Sequence, residues 1–282
     1  MPPKQLFTYG FAVGRTLAYH YAMESVTSSD GTLIAFERTG EGPPLVLVHG
    51  STADHTRWPS VLPELSSHFT VLAMDRRGRG QSGDNDTYLI DREYEDVAAV
   101  VRASGARVDL LGHSFGALCA MEAALLVENL NHLVLYEPVF PVGNRPLYPP
   151  DLPGRLRTIL DSGDRDAFLV SFFKEAAGVQ DVQIEALKAD PSWQARLVAA
   201  HTALREMADG EYRFEAERFH NLNVPTLLLV GEKSPIELTA PARALDEALP
   251  NSRVVVLKGQ GHVAMTTAPE VFLGAVMKFI NA

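Results

Sequence analysis

Short apolar segments recur along the chain and alternate with longer segments in which apolar residues have helical spacing. The apolar segments are nearly continuous rather than alternating, which is typical of strands covered on both faces of a parallel sheet. Between them, residues 91–104, with Val97, Val100 and Val101 at helical spacing, and residues 268–281 are predicted to be helices. Six strands are predicted in this way: LVLVHG (45–50), TVLAMD (70–75), VDLLGH (108–113), LVLYEP (133–138), PTLLLVG (225–231) and RVVVLKG (253–259).

A hairpin is predicted upstream of these strands. ESVTS and TLIAFERTG flank the turn residues Ser29, Asp30 and Gly31, and a second turn follows at residues 42–44. With the hairpin, the pattern predicts eight strands in all. The alternation of strands and helices indicates an α/β fold with a mostly parallel, doubly wound sheet.

The strand pattern stops between Phe140 and His220. Prolines are frequent up to residue 150, and the segments that follow are predicted to be helices without intervening strands. We therefore predict a core of residues 23–140 and 217–282, with a helical cap inserted at 141–216. Four aromatic residues are candidates for lining a pocket beneath the cap, although aromatic residues at helical spacing also fit plain core packing: Trp58, Phe140, Phe172 and Trp193.

Composition narrows the classes of partner. The 282 residues carry 25 Lys and Arg against 35 Asp and Glu, for a formal net charge of −10, so the chain lacks the basic surface that binds nucleic acid. No apolar run approaches the roughly 20 residues that span a bilayer. The single cysteine, Cys119, cannot form an internal disulfide, which favours a cytoplasmic location. Composition leaves the oligomeric state open.

Residues 1–22 are predicted to be an N-terminal extension. They contain aromatic residues, glycines and Arg15 but no continuous apolar centre, which argues against a secretory signal. Two interpretations stay open: a segment that lies on a membrane surface, or translation from an upstream start with Met23 as the working start.

The most specific motif is Gly112-His113-Ser114-Phe115-Gly116, which follows an apolar strand and precedes a helical pattern. In a G-x-S-x-G turn the serine hydroxyl is exposed above the end of the strand, and the glycines leave room for the neighbouring backbone. A serine that merely caps a helix would explain Ser114 but not both glycines. We predict that Ser114 is a nucleophile.

A serine nucleophile needs a base and a site for the developing oxyanion. His262, in KGQGHVAM, follows the last strand and precedes the last helix, so it should lie at the carboxyl edge of the sheet. The backbone N–H of Phe115, which follows the nucleophile, is one predicted oxyanion donor. The second is the N–H of Ser51, which follows the strand that ends at His49-Gly50. A simple turn would explain His49-Gly50 equally well.

Together these residues resemble the α/β-hydrolase superfamily over nearly the whole chain from Met23 onward. Residues 75–82, DRRGRGQS, also resemble the family's D-x-R-G-x-G-x-S loop, and we expect its arginines to be solvated. The resemblance implies a serine hydrolase, without cofactor or metal, that cleaves an ester, lactone or related acyl bond of a small, partly apolar substrate through an acyl-enzyme. An aspartate nucleophile would imply dehalogenase or epoxide hydrolase chemistry, and Ser114 argues against both.

The acid that would orient His262 has several candidates. The resemblance places an aspartate after the strand that ends at Val230, but Ser234 stands there. Some members carry the acid one strand earlier, where this chain has Glu137. We predict Glu137 as the acid, with Glu232 as the alternative; Glu237 lies further along and could begin a helix. Glu137 could instead be a hinge carboxylate that binds the first N–H groups of the cap.

Two other functional classes are open at this point. The missing aspartate at position 234 would suit a hydrolase-fold receptor or binding protein that binds a small molecule with little turnover. A scaffold that uses its cap as a protein interface would have a large exposed apolar patch. Ser114 and His262 favour the enzyme over both.

Overall fold

The computed structural model describes residues 22–143, 146–190, 192–208 and 212–282. The predicted N-terminal extension lies outside these residues, except for Ala22, which begins the first strand. Eight strands of the described chain form one sheet in the order β1-β2-β4-β3-β5-β6-β7-β8. The strands are β1 (Ala22–Thr27), β2 (Leu33–Thr39), β3 (Pro44–Val48), β4 (Thr70–Met74), β5 (Val108–His113), β6 (Leu130–Tyr136), β7 (Thr226–Gly231) and β8 (Ser252–Leu257).

The sheet is antiparallel at one edge and parallel elsewhere. β1 pairs with β2 and β2 with β4 in antiparallel register, whereas all pairs from β4 through β3 to β8 are parallel. The carboxyl ends of the parallel strands therefore meet at one edge of the sheet, where ligands bind in open α/β sheets. The predicted α/β fold with a mostly parallel, eight-stranded sheet is confirmed.

Helices cover both faces of the sheet, which explains why its strands are apolar throughout. Val46 and Val48 of β3 lie in one hydrophobic cluster, while Leu45 and Leu47 of the same strand lie in the other. The helices on these faces are α1 (Leu62–His68), α2 (Ile90–Ala103), α3 (Phe115–Ala123), α8 (Ile236–Ala248), α9 (Ala264–Thr267) and α10 (Pro269–Ile280). Nowhere in the described chain is a helix both long enough and apolar enough to cross a membrane.

Between β6 and β7 the described chain adds no strand to the sheet and forms, before a short 3-10 helix (Ala216–Phe219), four α-helices. These helices bury a hydrophobic cluster of their own, which includes Leu156, Phe168 and Ala200. They lie within the range predicted for the cap, whose boundaries stay a prediction. The four helices are α4 (Leu152–Asp161), α5 (Arg165–Glu175), α6 (Asp181–Ala189) and α7 (Trp193–Ala208).

The loop after β4 corrects one expectation from the sequence. Arg76, Arg77 and Arg79 were expected to be solvated, but all three are buried. Each forms an ion pair with a buried carboxylate, so the cost of removing the guanidinium from water is offset. Arg76 pairs with Glu93 and Arg77 with Asp96 on α2, and Glu206 of α7 pairs with both Arg76 and Arg79. The loop thereby connects the sheet to the inserted helices.

Candidate active site

Ser114 lies in a sharp turn between β5 and α3. Its backbone has φ 59° and ψ −126°, a conformation that non-glycine residues rarely adopt and that is concentrated at functional sites. A Cβ atom at Gly112 would lie 2.6 Å from the Cα atom of Ala117, and one at Gly116 would lie 2.3 Å from the carbonyl oxygen of His49. Both glycines of the motif are therefore required by close backbone approach, and the turn holds the serine side chain at the strand end.

His262 lies in the loop between β8 and α9 and is paired with Glu137. The Nδ1 atom of His262 lies 2.5 Å from Oε2 of Glu137, which directly follows β6 and is fully buried. The other carboxylate oxygen, Oε1, accepts the backbone N–H of Gly231 at 2.6 Å. Glu137 has a φ of 47°, so the chain turns sharply where this side chain leaves the strand. The carboxylate is thus fixed between the end of β7 and the histidine.

The other candidate acids lie elsewhere. Glu232 is exposed, and its Oε2 accepts the backbone N–H of Gly259 at 2.8 Å within a surface turn. Glu237 lies in the first turn of α8. Ser234, at the position of the usual aspartate, has a buried hydroxyl without a hydrogen-bond partner in the described chain. Of the candidate acids, Glu137 is the one for which the described residues show a contact with His262.

Two residues that the sequence analysis did not single out hold the His262 loop. His113 Nε2 lies 2.8 Å from the carbonyl oxygen of His262, and burial lowers the pKa of His113, so its neutral ring donates through Nε2. The hydroxyl of Tyr136 donates to the carbonyl oxygen of Gly261 and accepts the N–H of Ala264 at 3.2 Å. Both residues end strands of the sheet, and His113 occupies a variable position of the nucleophile motif. Its place next to Ser114 in the motif could have drawn attention to His113, whereas no sequence pattern pointed to Tyr136.

The loop after β3 carries Ser51, the predicted second oxyanion donor. In the described chain, neither the N–H of Ser51 nor that of Phe115 donates to a backbone acceptor, so both are available to a ligand. His49 supports this loop: its Nδ1 donates to the carbonyl oxygen of Gly50 at 2.8 Å, and its Nε2 accepts the N–H of Arg76 at 3.0 Å. Burial, with the nearby Arg76, lowers the pKa of His49, so the ring is neutral.

One cavity joins these elements. Ser114, His262, Ser51 and Phe115 all line it. Its remaining walls are largely apolar and come both from the sheet side and from the inserted helices. They include Leu118, Val139, Phe172, Phe173, Met207 and Leu238.

Of the four aromatic residues predicted to line a pocket, Phe172 does so, and the other three do not. Trp58 is buried in the core cluster on one face of the sheet. Phe140 stacks on Phe214, and Trp193 packs against Phe173 among the inserted helices. For these three, the prediction is corrected: their large apolar areas fill cores rather than the cavity.

Asp54, His55 and Asp75 form a second cluster of ionisable groups, outside this cavity. Their possible ligand atoms lie within 4.8 Å of one another. However, Asp75 accepts the backbone N–H of His55 at 2.8 Å and of Gln81 at 2.8 Å, and Asp54 accepts that of Thr56 at 2.9 Å. Hydrogen bonds within the loops therefore account for these carboxylates.

A doubly wound sheet with a strained serine turn and a carboxylate-paired histidine at its carboxyl edge defines an α/β hydrolase. A model of the alpha/beta hydrolase family matches residues 45–275, and the chain belongs to this family, which confirms the resemblance noted from the motifs. The solved structure of an alpha/beta hydrolase from Sphaerobacter thermophilus is 36% identical, with a TM-score of 0.79; the match covers 91% of this chain and 99% of that chain.

Two curated relatives are similar over most of their length. A 2-(acetamidomethylene)succinate hydrolase from Mesorhizobium japonicum is 26% identical over 276 residues, which is 93% of this chain and 96% of the relative. A pimeloyl-[acyl-carrier protein] methyl ester esterase from Aeromonas hydrophila is 28% identical over 259 residues, which is 88% of this chain and 99% of the relative.

Proposed function

We propose that the protein is a serine hydrolase that cleaves an ester, lactone or related acyl bond of a small, partly apolar molecule through an acyl-enzyme. The observation that carries this proposal is the 2.5 Å contact between His262 Nδ1 and Glu137, in a cavity that His262 shares with Ser114. The carboxylate accepts, so Nδ1 carries the proton and Nε2 is left as the base.

In the proposed reaction, the Ser114 hydroxyl oxygen attacks the substrate carbonyl carbon while its proton passes to His262 Nε2. The N–H groups of Ser51 and Phe115 donate to the resulting oxyanion. Collapse of the tetrahedral intermediate breaks the acyl–oxygen bond, and the leaving alcohol takes the proton from His262. Water, deprotonated by His262, then attacks the acyl carbon; the bond from that carbon to the Ser114 oxygen breaks, the carboxylic acid leaves, and His262 returns the proton to the Ser114 oxygen.

Glu137 serves as the acid of the proposed triad. It holds the proton on Nδ1 and stabilises the imidazolium that forms during attack. Its second oxygen is occupied by the N–H of Gly231, which fixes the carboxylate in one orientation. The main argument for a receptor without turnover was the lack of an aspartate at position 234. Since Glu137 contacts His262, that argument no longer favours a receptor.

The relatives support the reaction class. The Aeromonas hydrophila relative is named as a methyl ester esterase and the Mesorhizobium japonicum relative as a hydrolase of a substituted succinate. Both names describe hydrolases: one acts on a methyl ester whose acyl group is carried by a protein, and the other on a substituted succinate. The apolar walls of the cavity, such as Leu118, Phe172 and Leu238, suit the carbon chain of a small acyl compound.

The proposal is tested by labelling with a serine-directed fluorophosphonate and by a panel of p-nitrophenyl esters of increasing chain length beside lactones. The wild-type protein should be labelled and should turn over at least one compound, whereas Ser114→Ala should do neither. Thr239→Ala, which removes a hydroxyl from α8, is the matched control and should react like wild type. An unlabelled wild-type protein, or equal labelling of Ser114→Ala, would contradict the proposal.

A further inference from the structure

Two buried arginines line the same cavity as Ser114 and His262. Arg57 ends a short 3-10 helix (His55–Arg57) that follows β3, and Arg196 lies on α7 of the inserted helices. Arg57 is 7% exposed and Arg196 is 3% exposed. Positive charge therefore reaches a mostly apolar cavity from both the sheet side and the inserted helices.

Neither guanidinium forms an ion pair within the described chain. Arg57 donates to Thr266 Oγ1 at 2.7 Å and to Met265 Sδ at 3.1 Å, which are uncharged acceptors. Arg196 Nη1 lies 3.4 Å from Thr52 Oγ1, and its Nε has no hydrogen-bond partner among the described residues. The guanidinium of Arg196 also lies over the ring of Phe173, 5.6 Å from its centroid. Both cations thus retain donor capacity.

This arrangement is costly and differs from that of the other buried arginines. Arg76, Arg77 and Arg79 are each paired with a buried carboxylate. Burying a guanidinium without such a partner is unfavourable, because the lost hydration is not replaced. Burial lowers the pKa of Arg57 to about 9, with a further contribution from the nearby Arg196, and burial lowers the pKa of Arg196 to about 10. Both guanidinium groups line one cavity, so two like charges share a low-dielectric environment.

The carboxylates that surround the two arginines are engaged elsewhere. Asp190 and Asp54 attract the arginines electrostatically. However, Asp190 accepts the backbone N–H of Ser192 at 2.8 Å, and Asp54 accepts that of Thr56 at 2.9 Å. Glu206 also lines the cavity, but it is paired with Arg76 and Arg79. None of the three carboxylates forms an ion pair with Arg57 or Arg196 in the described chain.

We propose that Arg57 and Arg196 form a carboxylate-binding subsite, and that the substrate of Ser114 is a small acyl compound with a free carboxylate. This inference rests on the proposed serine hydrolase function. Planar guanidinium groups match the two oxygens of a carboxylate and form charge-assisted hydrogen bonds with it. Thr52, the contact of Arg196, follows Ser51, so the subsite borders the oxyanion loop. The bound carboxylate would orient the scissile carbonyl towards that loop.

Binding to the Ser114→Ala protein tests the subsite without turnover. The ligands are the monomethyl esters of succinic, glutaric and adipic acids, each compared by calorimetric titration with the neutral methyl ester of the same chain length: methyl butanoate, pentanoate and hexanoate. At least one monomethyl ester should bind at least 10-fold more tightly than its neutral counterpart. Two charge-assisted hydrogen bonds justify an effect of this size.

Arginine variants in the same background identify the residues responsible. Arg57→Met and Arg196→Met should each weaken the carboxylate-bearing ester about 10- to 100-fold and change the neutral ester less than threefold. Arg243→Met, which removes an exposed arginine from α8, is the control and should change neither. Methionine keeps most of the apolar length of the arginine side chain, and the substitution removes a buried charge that has no ion-pair partner. The melting temperatures of Arg57→Met and Arg196→Met should therefore be no lower than that of the Ser114→Ala protein.

Three results would overturn the subsite. The first is equal affinity for charged and neutral esters throughout the series, and the second is an equal loss of affinity for charged and neutral esters in the arginine variants. The third is a lower melting temperature of these variants together with loss of binding of both kinds of ester. Fluorophosphonate labelling of wild type tests the hydrolase proposal separately, because that probe carries no carboxylate. Labelling without any preference for charged esters would refute the subsite alone. Preference for charged esters without labelling would support the anion site and refute hydrolysis.

Discussion

Replacement of Glu137 by glutamine removes one charge while keeping the shape of the side chain. The glutamine carbonyl can still accept the N–H of Gly231, so the fold should be retained. Its amide NH₂ would then face Nδ1 of His262, which must become an acceptor. The histidine would be held in the wrong tautomer, with its proton on Nε2, and the imidazolium would lose its buried counter-ion.

The magnitude follows from the geometry. A buried carboxylate that contacts His262 at 2.5 Å forms a charged pair in the transition state. Breaking a buried pair costs about 3 to 5 kcal/mol. Since each 1.36 kcal/mol is a factor of ten in rate, kcat should fall by roughly 10² to 10⁴.

The assay is steady-state hydrolysis of a p-nitrophenyl ester that the wild type turns over, with thermal melting to check the fold. Glu232→Gln is the matched control, because Glu232 is an exposed glutamate that accepts only the N–H of Gly259 in the described structure. Its kcat should stay within a few-fold of wild type. A large loss at Glu232 with little effect at Glu137 would refute the assignment and restore the usual strand for the acid.

Three further outcomes are expected. Ser114→Ala should lower kcat by a factor on the order of 10⁴ to 10⁶ with an unchanged circular dichroism spectrum, and more than a tenth of wild-type turnover would exclude Ser114 from the mechanism. Gly116→Ala should destabilise the protein by at least about 3 kcal/mol in urea unfolding, since the new Cβ would lie 2.3 Å from a backbone carbonyl oxygen, whereas Gly274→Ala, in open space on α10, should be neutral or stabilising by up to about 1 kcal/mol. Burial alone would raise the pKa of Glu93, but its arginine partners outweigh burial and lower the pKa to about 2. The stability that Glu93 contributes above about pH 4.5 should therefore disappear as the pH falls towards 2, and the difference in free energy of unfolding between wild type and Glu93→Gln, measured in urea, should narrow. A difference that stays constant with pH would contradict this.

The sheet and the sharp turn at Ser114 could be predicted because their signals are local. A strand buried on both faces must be apolar throughout, as β5 and β7 are. The turn at Ser114 must have glycines where backbone atoms approach within 3 Å of a Cβ position. In both cases the physical requirement falls on residues adjacent in sequence, so the requirement is visible in the sequence itself.

The environment of the arginines could not be predicted, because it depends on residues far away in sequence. Arg79 is buried beside two carboxylates, Glu93, 14 residues later, and Glu206, 127 residues later. Arg57 is buried without one. Removing either guanidinium from water costs the same free energy, and Arg79 and Arg57 differ only in the residues that the fold places beside them. For the same reason, Trp58 and Trp193 could not be distinguished from pocket residues by their size and spacing.

The proposed acid, Glu137, follows β6, whereas the family resemblance places an aspartate after β7. β6 and β7 are adjacent and parallel, with Tyr136 paired with Leu229, so their carboxyl ends lie side by side. An acid after either strand starts at the same edge of the sheet. Glu137 also remains tied to β7 through its own N–H, which donates to Leu229 at 3.0 Å, and through the N–H of Gly231, which donates to its carboxylate. The end of β7 thus positions the Glu137 carboxylate by hydrogen bonds, although Glu137 itself follows β6. An aspartate at position 234 is not needed for this contact, and Ser234 stands there.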